Sequence, residues 1–303
     1  MNFTGVIPIL ATPFREDELF DAESMINLVK LMKNIGVDGI TVLGVLGEAN
    51  RLSDREREDV LRNAVAAADG LPVIAGASAS GTRATCDLAQ MAQSLGASAV
   101  MITPHAEPVP SDERVFKHFA AITNATDLPI VLQDHPASSG VHMPTSLMLR
   151  MISELPAISC IKEEAVPTPP KIRALKQGMT GRSIPILTGL GALYGLFDLE
   201  AGSDGFNTGF AFPEVLMAMV AAARAEEWQR VRELYTRFLP LIVFEQQPGV
   251  AVRKEILRLR RAITSGRVRQ PGAQLNPETG KQLGRLINSL LPDSDLTQPI
   301  KFD

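Results

Sequence analysis

Cysteine, surplus positive charge, long apolar runs and nucleotide-loop glycines are scarce or missing in this 303-residue chain, and each gap removes a class of protein. Only two cysteines occur, Cys86 and Cys160. One falls in a helical pattern and the other in a buried strand, so both read as core residues. That excludes a disulfide framework and a thiolate metal site, and it fits a reducing compartment. The net charge is -4. Lys and Arg are scattered, and their densest run, Arg253 to Arg269, lies on a helical pattern and reads as a solvated face, so no nucleic-acid partner is expected. No apolar run is long enough to span a bilayer, and the amino-terminal residues lack a basic start followed by an apolar stretch, so the expected setting is cytoplasmic and off the membrane. No His/Asp cluster has ligand spacing, so no metal is expected. No G-x-G-x-x-G follows the first apolar run, so neither is a dinucleotide cofactor.

What the chain does contain is ordinary globular composition, 45% apolar and 21% charged, in short apolar runs that alternate with longer amphipathic stretches. The length suits one large α/β barrel or two ordinary domains. Strands are expected at Val6 to Leu10, Gly39 to Leu43, Pro72 to Ala75, Ala99 to Ile102, Pro129 to Leu132, Ile158 to Lys162, Pro185 to Thr188 and Gly205 to Thr208. They are apolar on both faces, as parallel strands covered by helices must be. Between them, Ser53 with Glu56 reads as a capping box, and Gly36, Gly70, Gly96 and Gly202 lie where helices should stop. Roughly eight βα units in residues 1–225 predict an α/β fold of the TIM (β/α)8 barrel type, closed and not doubly wound. Residues 226–303 are expected to form a C-terminal helical extension. Its three amphipathic stretches run from Trp228 to Phe244, Gly249 to Ala262 and Glu278 to Leu290. Pro240, Pro248, Pro271 and Pro277 punctuate it, and the tail after Pro292 has too little apolar content to pack on its own.

In such a barrel the site lies at the C-terminal ends of the strands, so the polar residues there carry the chemistry. The sixth strand ends in Ile161-Lys162-Glu163-Glu164. An amine carried into an apolar wall is disfavoured as an ammonium unless paired, and the neutral amine attacks carbonyls, which points to Schiff-base chemistry. After the second strand, Gly44-Val45-Leu46-Gly47-Glu48 forms a turn whose backbone N–H groups can face an anion such as a carboxylate. The fifth strand ends in Gln133-Asp134-His135-Pro136-Ala137-Ser138. His135 has the side chain best suited to proton transfer near neutrality. Asp134 alternates with Gln133 and should face away from the barrel interior. Gly189 after the seventh strand, and Asn207 and Thr208 on the eighth, complete the rim. Ser138 and Gly189 leave room for a polyhydroxy chain, and Asn207 supplies a hydrogen-bond donor.

Over nearly its whole length the chain resembles the pyruvate-dependent class I lyases that include dihydrodipicolinate synthase and N-acetylneuraminate lyase. The resemblance rests on Thr12-Pro13-Phe14, the Gly44-x-x-Gly47-Glu48 turn, Thr103-Pro104, Pro136 with Gly140, and above all Ile161-Lys162-Glu163. It implies that Lys162 forms an imine with a 2-oxo acid, that Gly44, Val45, Leu46 and Gly47 hold the substrate carboxylate, and that no cofactor or metal is needed. It also implies self-association as a tetramer or dimer, to which the apolar stretches Leu216 to Val220 and Leu239 to Phe244 could contribute. Gln133 stands where the family carries a proton-relaying Tyr, and an amide cannot shuttle a proton. Val45-Leu46 replaces the usual Thr pair, and Ser138 stands where synthases bind a semialdehyde carboxylate with Arg. These departures turn the expectation away from 4-hydroxy-tetrahydrodipicolinate synthase and towards a 2-keto-3-deoxy sugar acid aldolase or dehydratase, with Lys162, Gln133 and His135 at the reacting centre. A non-catalytic barrel that binds a small acid, and a metal-dependent aldolase, are the alternatives.

Overall fold

The computed structural model describes residues 3–247 and 249–302, so Pro248 and its expected role as a break lie outside the described residues. Eight parallel strands form one sheet: β1 (Gly5–Val6), β2 (Ile40–Val42), β3 (Val73–Gly76), β4 (Ala99–Ile102), β5 (Ile130–Asp134), β6 (Ile158–Glu163), β7 (Ile186–Thr188) and β8 (Gly205–Phe206). The order β1-β8-β7-β6-β5-β4-β3-β2 runs around a ring. Ile9 and Thr41 form a parallel bridge that closes it between the chain beyond β1 and β2. The strand pleat sorts the side chains. Ile9, Met101, Val131, Cys160 and Leu187 fill the barrel interior, while Val100, Leu132, Ile161 and Ile186 face the surrounding helices. The fold is a TIM barrel, and burying both strand faces explains the near-continuous apolar runs.

Two strands are shorter than their apolar runs. Pro8 has no N–H to give the ladder, so β1 stops at Val6, although Ile7 and Ile9 still donate to Phe206 and Thr208 carbonyls at 2.8 and 2.9 Å. Beside it, Gly205 has φ +145°, and a Cβ there would sit 1.9 Å from the Gly5 carbonyl oxygen, so the β1–β8 approach requires glycine. Asn207 staples this seam from within: its amide donates to the Ile7 carbonyl at 2.8 Å and to Thr41 Oγ1 at 2.9 Å.

Twelve helices are placed among the described residues: α1 (Ala22–Ile35), α2 (Asp54–Ala68), α3 (Thr82–Ser94), α4 (Asp112–Thr123), α5 (Pro136–Ser139), α6 (Thr145–Glu154), α7 (Thr168–Gly178), α8 (Gly195–Glu200), α9 (Pro213–Arg224), α10 (Trp228–Phe244), α11 (Val250–Leu259) and α12 (Pro277–Leu290). The capping box at Ser53 and Glu56 is formed in both directions, and α1 ends on Gly36 in the left-handed region at φ 86°. Pro240 does not end α10, which runs through it. The apolar stretches considered for self-association are largely core. Leu216, Met219, Val220, Leu241 and Ile242 are buried with Phe206, Phe212 and Phe238, and Val243 is exposed. The tail after Pro292 packs on this cluster through Leu296, Ile300 and Phe302, with the Phe302 ring edge-on to Phe238 at 5.3 Å.

Candidate active site

Along β6 the pleat places Cys160 and Lys162 inside the barrel and Ile161 outside. Lys162 is 5% exposed, in register between Gln133 and Leu187 of the neighbouring strands. Its Nζ lies 3.1 Å from Glu164 Oε2. The same oxygen accepts from Gln133 Nε2 at 2.7 Å, and Glu164 Oε1 accepts the Leu190 N–H at 3.0 Å. Burial pushes the Glu164 carboxyl up, but the Lys162 charge, then His135, the Gln133 amide and the Leu190 N–H outweigh it and hold the group below the ordinary carboxylate range. Gly189 makes room for this arrangement, since a Cβ there would sit 2.1 Å from Glu164 Oε1. The space above Gly189 is thus filled by a carboxylate. Glu164 carries no role in the sequence reading, yet its spacing is the signal: two residues after Lys162, it shares a strand face with it.

The intervening residue points the other way. Glu163 Oε1 accepts the Ala165 N–H at 2.8 Å, while Oε2 has no partner among the described residues. Asp134, its neighbour in register, pairs with Lys171, which also donates to the Met143 carbonyl at 2.8 Å. Burial, reinforced by the Asp134 charge, pushes Glu163 up to about 9. Burial raises Asp134 as well, so the pair behind the Lys162 wall holds a proton at neutral pH. Between about 4.5 and about 9 the folded protein keeps the Glu163 proton that the unfolded chain has lost, so stability falls as pH rises across that window. Melting temperatures measured across it should fall for the native protein, and Glu163→Gln should flatten the slope. An unchanged slope would show that Glu163 holds no proton across that window.

His135 caps α5 with its Nδ1 2.7 Å from the Ser138 hydroxyl, and Ser138 is exposed at the rim. In the turn after β2, Val45–Gly47 form one 3-10 turn. The Gly47 and Glu48 N–H groups bond to the Gly44 and Val45 carbonyls, each at 3.0 Å, and Thr12 Oγ1 donates to the Gly47 carbonyl at 2.6 Å. Val45 is exposed, and Leu46 packs on the interior cluster of Ile7, Ile9 and Met101. Glu48 ends the turn at φ 54° and is clamped by Arg51 of the next turn, by Lys254 of α11 and by the segment between α11 and α12. Its Oε1 pairs with Lys254 Nζ at 2.5 Å, and its Oε2 accepts from Arg51 Nη1 at 2.7 Å and the Arg269 N–H at 3.0 Å. Lys254 also donates to the Arg267 carbonyl at 2.7 Å and lies 4.2 Å from the Phe14 ring centre. Asn207 sits on the interior face of the seam with both amide hydrogens committed and Oδ1 unpartnered among the described residues. The structure therefore brings Lys162, Gln133, Glu164 and Gly189 into contact. The Gly44–Gly47 turn, His135 and Ser138 follow strands at the same end of the barrel.

Residues 2–290 match the Dihydrodipicolinate synthetase family. The chain belongs to this family. Among its relatives, an L-2-keto-3-deoxyarabonate dehydratase of Azospirillum brasilense is 30% identical over 294 residues, covering 95% of this chain and 94% of the relative. A 4-hydroxy-tetrahydrodipicolinate synthase of Halalkalibacterium halodurans is 29% identical over 95% of this chain and 97% of its own. In structure, a dihydrodipicolinate synthase from Rhodopseudomonas palustris superposes with a TM-score of 0.90 at 34% identity, over 95% of this chain and 97% of that one. A family protein from E. coli solved in complex with pyruvate superposes with a TM-score of 0.87 at 26% identity, over 95% and 98% of the two chains. Like the family, the protein is a lyase of the Schiff-base class. Among the described residues no helix is long and apolar enough to cross a membrane.

Proposed function

We propose that this family member is a lyase for a 2-oxo acid, a 2-keto-3-deoxy sugar acid aldolase or dehydratase, with Lys162 as its nucleophile. The observation that carries the reading is an amine buried inside the barrel mouth, 3.1 Å from a carboxylate. The amine attacks the C2 carbonyl, water leaves, and the resulting iminium draws electrons from C3 to give an enamine. The Val45 and Leu46 N–H groups, uncommitted within the turn, are suited to the substrate carboxylate. Gln133 orients Glu164 and cannot itself move a proton. His135 and Ser138 stand at the rim where the hydroxylated end of the substrate would lie, and Asn207 Oδ1 offers an acceptor from the barrel floor.

Relatives named as synthases and as a dehydratase share this level of identity. Two residues favour the sugar acid: Ser138 offers no cation to a second carboxylate, and Gln133 offers no phenolic relay for a condensation. The test is borohydride reduction with pyruvate, followed by turnover on a panel of 2-keto-3-deoxy acids scored for pyruvate release and for dehydration. An irreversible mass gain at Lys162 and turnover of at least one sugar acid are expected. Trapping without turnover would support a binding barrel, and turnover only with aspartate semialdehyde would restore the synthase reading.

A further inference from the structure

An imine cycle moves several protons, and the family's usual relay is absent here, so some other group beside the reacting nitrogen must carry them. The candidates separate by position. Asp134 and Glu163 lie on the far side of the barrel wall. Gln133 has no proton to exchange, and His135 Nδ1 is engaged with Ser138. Glu164 alone among these touches the Lys162 Nζ, at 3.1 Å. Its setting is built for it: the Gln133 amide and the Leu190 N–H fix both oxygens, and Gly189 omits the side chain that would displace the carboxylate.

We propose that Glu164 is the acid–base residue of this site, a carboxylate that moves protons between Lys162, the C2 oxygen, C3 and the departing hydroxyl. The assignment rests on the imine reading above. In the first step Glu164 takes a proton from the Lys162 ammonium, and the amine forms the C2–N bond as the C=O electron pair moves to oxygen. The protonated Glu164 returns its proton to that oxygen, then takes a second proton from the nitrogen and delivers it to the resulting hydroxyl, which leaves as water while the nitrogen lone pair forms the C=N bond of the iminium. Glu164, again a carboxylate, then removes a C3 proton, and the C–H electrons become the enamine double bond. For dehydration the nitrogen lone pair re-forms the iminium, the C2=C3 pair becomes a C3=C4 double bond, and the C4 hydroxide is expelled with the proton that Glu164 took from C3, so the net loss is one water and the carboxylate is restored. The ionised resting state that this cycle needs agrees with the depressed Glu164 pKa, set by burial working against the Lys162 charge and three further contacts.

The test uses the isosteric Glu164→Gln enzyme with pyruvate in D2O. Wild type should exchange the methyl protons through the enamine, and Glu164→Gln should slow that exchange by roughly 10²- to 10⁴-fold. Borohydride should still attach pyruvate to Lys162 in the variant. Wild-type exchange should fall on the acid side as Glu164 takes a proton, and the variant should lack that limb, a difference that a merely structural role would not produce. Gly189→Ala retains the carboxyl but blocks its seat, and it should slow exchange in the same way, which keeps the test open if Glu164→Gln folds poorly. Exchange at the wild-type rate in both variants would overturn the assignment while leaving the imine intact. Absence of both trapping and exchange in the wild type would instead overturn the imine reading, and the role of Glu164 with it.

Discussion

Lys162→Ala should reduce turnover of the true substrate by on the order of 10⁴- to 10⁶-fold, the scale seen when a covalent nucleophile is removed. The loss has a stated origin: with no amine there is no iminium, and C3 deprotonation loses its electron sink. Alanine also strands Glu164, a carboxylate buried to 6% exposure, without its cation. Part of any loss could then come from a shifted Glu164. Lys162→Arg separates the two effects, because guanidinium keeps the positive charge beside Glu164 but does not yield a neutral nucleophile. Both variants should be inactive and resist borohydride trapping, and the Arg variant should melt closer to wild type. Full-speed turnover by either would take the imine off the reaction path.

Glu48→Ala should cost about 3–5 kcal/mol of unfolding free energy, the usual penalty for leaving one member of a buried ion pair alone. Lys254 has no exposed surface, and its ammonium is held by Glu48, the Arg267 carbonyl and the Phe14 ring. Burial already pushes Lys254 down to about 8, against the upward pull of Glu48. Without Glu48 the folded pKa drops further below that of the unfolded chain. The unfolded state then binds more protons, and the variant's stability should rise with pH through the neutral and alkaline range. Urea titrations at several pH values measure this directly. Adding Lys254→Met should recover much of the loss, since an apolar replacement of the pair removes the orphaned charge. If Glu48→Ala is neutral, the clamp contributes nothing to stability. The same clamp fixes the end of the Gly44–Gly47 turn, so KM should rise in the variant while trapping at Lys162 persists.

The strand order and the position of Lys162 were readable because both depend on local pattern: apolar runs of strand length, a capping box at Ser53 and a lysine at a strand end. Element ends were less readable. β1 and β8 stop short of their apolar runs because Pro8 cannot donate to the ladder they share, a backbone fact that the apolar pattern does not register. Pro240 looked like punctuation, but the packing of Phe238, Leu241 and Ile242 carries α10 through it. Glu164 was hidden among neighbouring ionisable residues, where the pleat alone decides that Lys162 and Glu164 meet while Glu163 turns to Asp134. The Glu48–Lys254 pair and the Asn207 seam join residues about two hundred positions apart, and no local pattern encodes such distances.

The seam sets a timetable for the nascent chain. Gly5 must find Gly205, and Ile7 must meet the amide of Asn207, 200 residues later. At ordinary translation speeds of roughly 5–20 residues per second, the first strand waits about 10–40 s on the ribosome before its second neighbour exists. Throughout that interval the growing sheet has two raw borders, one at each end, either able to accept a stray strand from another polypeptide. Only delivery of the eighth strand removes both at once, so chaperone protection should matter most in the moments before it emerges.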